Sequence, residues 1–134
     1  MLEIEGSAGS AIAAAGMRVQ QGRLRVMTEN LANAQSTAST PGGDPYQRKI
    51  AVFAPVGAEA EPVGRVVRDT SPFRVISSPG HPAADERGNL KLPNVNPATE
   101  AAGLRAAMGA YDSNLRVIAT LDDLNRRTID LLKV

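Results

Sequence analysis

The chain has no cysteine and no tryptophan, and its only aromatic side chains are Tyr46, Phe53, Phe73 and Tyr111. Without cysteine there is no disulfide scaffold, no thiolate metal site and no thiol nucleophile. Charge of one sign is also missing. Lys plus Arg number 15 against 14 Asp plus Glu in 134 residues, and the two signs stay balanced in the first 40 residues, the middle and the last 37. With neither a basic stripe nor aromatic stacking platforms, the composition argues against a nucleic-acid partner. No run approaches the roughly 20 apolar residues of a membrane span. The alanine-rich start carries Glu3 and Glu5 where a secretion signal carries basic residues. The expectation is therefore a chain without a cleavable signal.

Proline is absent from both ends: all nine prolines fall between residues 36 and 97. In the proline-free segment from Gly6 to Gln35, Ala13, Met17, Gln20, Leu24, Met27, Leu31 and Ala34 recur at intervals of four and three, a heptad seam. A second line, Ala8, Ile12, Ala15, Val19, Gly22 and Val26, widens the apolar face beyond what one partner helix covers. At the other end Asn96 is placed as a helix cap, Pro97 as the first helical residue, and Thr99 and Glu100 in the first turn. That helix can run to Lys133. Its main seam is Ala101, Leu104, Met108, Tyr111, Leu115 and Ile118, flanked by Ala107, Ala110, Asn114, Val117, Leu121, Leu124, Thr128 and Leu131.

Between the helices, short stretches in which apolar and polar residues partly alternate and β-branched residues are common predict strands at Gln47 to Val56, Gly64 to Arg68, Phe73 to Ile76 and Asn89 to Leu92. Turns at Gly42 to Pro45 and Pro79 to Pro82 precede the first and the last. Phe53 and Phe73 are the expected core of this small β part. The fold class is α+β: a coiled-coil-like pair of long terminal amphipathic helices with a small β-rich middle. The segments are 1–35, 36–97 and 98–134. Helices about 45 and 50 Å long exceed what so small a middle can cover. The terminal segments are thus expected to gain order when neighbouring chains bury their seams, as in head-to-tail assemblies.

Specific strings sharpen this. Thr28-Glu29-Asn30-Leu31-Ala32-Asn33-Ala34 closes the first helix, and its Asn-Leu-Ala-Asn quartet resembles the axial proteins of the bacterial flagellum. There follow Gly43-Asp44-Pro45-Tyr46-Gln47-Arg48-Lys49, Asp69-Thr70-Ser71-Pro72-Phe73-Arg74, Pro79-Gly80-His81-Pro82-Ala83-Ala84-Asp85 and Pro93-Asn94-Val95-Asn96, with Tyr111-Asp112-Ser113-Asn114 in the last helix. In that order and spacing they resemble the proximal-rod family. The chain departs from the family pattern at Ala101-Ala102-Gly103-Leu104-Arg105, Gly109 and Asn89.

The resemblance implies a structural subunit, not an enzyme, with no cofactor or metal. Its implied partners are copies of itself and other flagellar rod proteins, the junction with the membrane ring and export gate, and the flagellar type III export apparatus. Its implied place is the periplasmic rod of the basal body, where the rod transmits torque and encloses the export channel. The expected assembly interface comprises Met17, Leu24, Met27, Asn30, Leu31, Asn33, Leu104, Met108, Tyr111, Asn114, Leu115 and Ile118.

Other readings stand beside this one. Asn30 and Asn33 either end a helix through the left-handed conformation that asparagine tolerates, or fix register between packed chains, the preferred reading. His81, the only histidine, could join Asp85 and Ser77 or Ser78 in a hydrolytic trio, but no strand-turn-helix elbow surrounds either serine, and ordering a turn fits better. The terminal seams could instead serve a soluble helical adaptor or export chaperone that does not polymerise.

Overall fold

The computed structural model describes residues 2–53 and 64–133. Helix α1 spans Leu2–Ala32, strands β1 to β4 span Lys49–Val52, Arg65–Arg68, Arg74–Ser77 and Asn89–Leu92, and helix α2 spans Pro97–Leu132. All four expected strands are present. The expected continuation of the first to Val56 lies partly outside the described residues.

Helix α2 starts where local chemistry predicts. Asn96 has extended backbone, with φ −97° and ψ 109°, and its side chain accepts from Ala98 N at 3.0 Å and Thr99 N at 3.3 Å. Two backbone N–H groups that the first turn leaves open are thereby satisfied. Helix α1 ends differently from the left-handed expectation. No non-glycine residue among those described has positive φ, and the chain instead winds down through Asn33 N to Glu29 O, Ala34 N to Leu31 O and Ser36 N to Asn33 O. The Asn33 amide donates to Glu29 O and accepts from Ser36 Oγ, so it closes its own helix end.

The helices form an antiparallel hairpin. Gly9 lies against Leu121, Gly16 against Asn114, Met27 against Gly103 and Asn30 against Glu100. Each advance along α1 is matched by an equal retreat along α2, so the register never slips. Ala13, Ala15, Gly22 and Val26 on α1 and Ala107 on α2 are buried. The second line of α1 is buried at Ala15, Gly22 and Val26 but exposed at Ala8 and Ile12, whereas the heptad seam is buried at Ala13 and half-covered elsewhere. Small side chains explain the choice: alanine and glycine let two backbones approach closely and gain dispersion contacts along their length.

Strands β1 and β2 pair antiparallel, with Lys49 opposite Arg68 and Val52 opposite Arg65. Strands β3 and β4 form a separate antiparallel ribbon, with Arg74 opposite Leu92 and Ser77 opposite Asn89. The core of this part is Ala83, Ala84, Leu90 and Val95. Phe53 and Phe73, expected to fill it, are only half-buried; two separate two-stranded ribbons do not enclose a large ring. Phe53 instead lies under the Arg23 guanidinium, 5.1 Å from the ring centroid.

The two turns of the middle are one structure. Gly42, at φ 70°, donates its N–H to Ala83 O at 3.0 Å, and Lys91 Nζ reaches Asp44 Oδ1 at 3.0 Å. His81 orders this turn: its Nδ1 accepts from Ala83 N at 3.0 Å. Asp85 Oδ1 accepts from Arg87 N and Asn89 N, both at 2.9 Å. The side chains of histidine and aspartate are thus each engaged with backbone, and His81 meets Ser78 only through its own N–H, which donates to Ser78 O at 3.1 Å.

Candidate functional site

Where α1 ends and α2 begins, the polar residues of the recognised strings meet in a single buried junction. Asn30 is 1% exposed and Glu100 3% exposed. The Asn30 amide uses all four of its hydrogen-bonding positions inside the chain. Its Nδ2 donates to Lys49 O at 2.8 Å and to Glu100 Oε2 at 3.4 Å, and its Oδ1 accepts from Tyr46 OH at 2.8 Å and Lys49 N at 2.9 Å. A buried amide so satisfied has no capacity left for a neighbouring chain. Asn30 therefore ties α1, α2 and β1 together within one chain.

The network continues through charge. Arg48 Nε pairs with Glu100 Oε1, and the other side of the guanidinium meets Asp69 Oδ2 at 3.2 Å. Lys49 Nζ pairs with Glu29. Asn94, just before α2, accepts from Arg48 N at 2.7 Å and donates to Asp69 O and Ser71 O, both at 3.0 Å. Gln47 Nε2 adds a bond to Asp69 O at 2.8 Å.

Protonation follows these contacts. Burial, then the carboxylates of Glu29 and Glu100, push the Tyr46 hydroxyl above its ordinary range. The hydrogen bond to Glu100 holds the Arg48 guanidinium more firmly protonated. Hydrogen bonds from Ser71 and then Arg48 hold the Asp69 carboxyl below the usual carboxylate range. The sequence reading isolated Asn30 but not Tyr46, Arg48, Asp69, Asn94 or Glu100. For the first four the signal was their presence, one or two each, in the strings already quoted; Glu100 stood only as a first-turn residue of the last helix.

The other expected interface residues are spread along the hairpin. Met27 packs on Gly103, and Asn114 covers Gly16, so both serve contacts within the chain. Met17, Leu24, Leu31, Asn33, Leu104, Tyr111 and Ile118 are half-buried. Met108 and Leu115 are exposed on one side of α2 and Val117, Leu124 and Leu131, at heptad spacing, on the opposite side, so that with Ile129 and Leu132 two apolar stripes stay open. Leu131 and Leu132, at 76% and 79%, are the most exposed of these. Apolar surface left open on this scale marks an interaction surface. Among the described residues no His, Asp and Glu side chains are grouped to hold a metal ion, and no helix is long and apolar enough to cross a membrane.

Comparison with known proteins agrees with this architecture. The family model for the C-terminal part of flagellar basal body rod FlgEFG proteins matches residues 86–131, which cover β4 and nearly all of α2. The flagellar basal-body rod protein FlgC of Agrobacterium fabrum is 47% identical over 95% of each chain. The FlgC of Salmonella typhimurium is 35% identical over 98% of this chain and 97% of its own, and that of Aquifex aeolicus is 33% identical over 91% and 93%. At this identity over nearly the whole of each chain, the chain belongs to the FlgC family of flagellar basal-body rod proteins.

Proposed function

We propose that this chain is a structural subunit of the flagellar proximal rod, polymerising through its terminal helices with copies of itself and with other rod proteins. The carrying observation is the apolar surface that remains on α2 after the hairpin has closed, Met108 and Leu115 on one side and Val117, Leu124 and Leu131 on the other. Covering it by neighbouring helices stabilises an assembly by about 1.5 to 3 kcal/mol for each fully buried leucine or isoleucine. Many such modest contacts distribute mechanical load along a wall, which suits transmission of torque. In this reading the helices form the inner wall around the export channel and the β part lies outside. The subunit arrives through the flagellar type III apparatus, and the assembled rod meets the membrane-ring and export-gate junction. The task is mechanical, not catalytic.

Deleting the gene tests this directly. Basal bodies viewed by electron microscopy are expected to lack rods beyond the membrane ring, and cells to lose swimming. Complementation by the unaltered gene restores both, whereas Met108→Asp combined with Leu115→Asp does not. Normal rods in the deletion strain, or full rescue by the double variant, would count against the proposal.

A further inference from the structure

The hairpin interface is uneven in a way that suggests a conditional closure. Along most of its length it is made of small or apolar contacts, Gly9 with Leu121 and Met27 with Gly103, that need nothing from the rest of the chain. At the end beside β1, by contrast, an amide and a carboxylate face each other across the interface. Of the four hydrogen bonds of Asn30, three come from Tyr46 and Lys49. The cation that balances Glu100 is Arg48, on the same short segment.

Removing that segment would leave the helices closing over a carboxylate without its cation and an amide with one remaining partner. Both are costly to bury in that state. We propose that the Asn30–Glu100 junction is an interlock: the two helices close at this end only when Tyr46–Lys49 is seated between them, so helix pairing and docking of the β part occur as one event. Arg48 acts as the key, because it alone carries the charge that Glu100 requires. Asp69 and Asn94 hold the key in position, one through the guanidinium and the other through the backbone N–H.

Hydrogen exchange of the full-length chain tests the idea, read at the amides of residues 24–31 and 100–107 in four proteins: unaltered, Arg48→Met, Glu100→Gln, and the double variant. Arg48→Met is expected to lose protection there by about tenfold or more, the stranded carboxylate being discounted for the partial exposure of the arginine. In the double variant no charge is left to strand, so protection returns above that of Arg48→Met. If Arg48→Met abolishes protection throughout, the double variant still decides, since recovery supports the interlock and its absence overturns it. Losses that simply multiply from single to double variants, unchanged protection in Arg48→Met, or an unaltered chain that exchanges at these amides like a free peptide would each overturn it.

Discussion

Gly16 on α1 backs directly onto the side chain of Asn114 on α2: a Cβ placed on Gly16 would lie 2.8 Å from Asn114 Nδ2 and 3.2 Å from its Cγ. Glycine here is a spacing device. Gly16→Leu is expected to wedge the hairpin apart and cost about 1 to 3 kcal/mol. Gly109 is the control, since a Cβ there meets nothing within 4 Å; Gly109→Ala is expected to stabilise α2 by about 1 kcal/mol. Urea denaturation followed by circular dichroism measures both, and equal effects of the two changes would contradict this account of the interface.

Asn30→Ala removes four hydrogen bonds at once and leaves Tyr46 OH, Lys49 N and Lys49 O without their partner. The expected loss is at least about 2 kcal/mol. Asn30→Asp is expected to be worse, because it replaces the donor facing Glu100 with a second negative charge. A denaturation midpoint that is higher for the aspartate than for the alanine variant would contradict the geometry.

Two groups of the junction set opposite pH limits. The Tyr46 hydroxyl titrates higher in the folded chain than in the unfolded one, so its contribution is complete below about pH 10 and fades as pH rises through the folded-state value. The Asp69 carboxyl titrates lower when folded, so its contribution is complete above about pH 4 and fades as pH falls through the folded-state value. Denaturation midpoints measured across pH are expected to drop at both extremes. Tyr46→Phe removes part of the alkaline drop and Asp69→Asn part of the acid one.

Gln20 sits on the heptad seam of α1, and its Oε1 is buried without a hydrogen-bond partner among the described residues. Gln20→Leu keeps similar volume and removes the unpaired acceptor. Thermal unfolding is expected to shift upward by the equivalent of about 1 kcal/mol. A downward shift would show that the amide is satisfied in solution.

Gly88 closes the turn into β4 with φ 79°, and a Cβ there would lie 2.9 Å from Pro79 Cβ. Backbone strain and steric overlap both act against any side chain, so Gly88→Ala is expected to cost at least about 1 to 2 kcal/mol. No loss in a denaturation series would refute that view of the turn.

Much of the fold was readable residue by residue. Asn96 and Pro97 mark the start of α2 because capping bonds span only two or three residues. Three of the four strands stand where β-branched residues occur between turn formers, and β4, Asn-Leu-Lys-Leu, where polar and apolar residues alternate. The buried role of Asn30 was not readable in the same way, since its partners Lys49 and Glu100 lie 19 and 70 residues away. Nor was the half-exposed state of the phenylalanines, which depends on the two ribbons being separate.

From the amino-acid order alone come the two helices, the N-terminal cap of α2, the β character of the middle and the exclusion of thiol chemistry, because each rests on local hydrogen bonding, propensity or composition. The tertiary structure decided which residues of the two adjacent lines on α1 are covered, and that four distant strings share one polar junction. Burial is a property of how closely two backbones approach, and that distance is set by the small side chains of both helices at once.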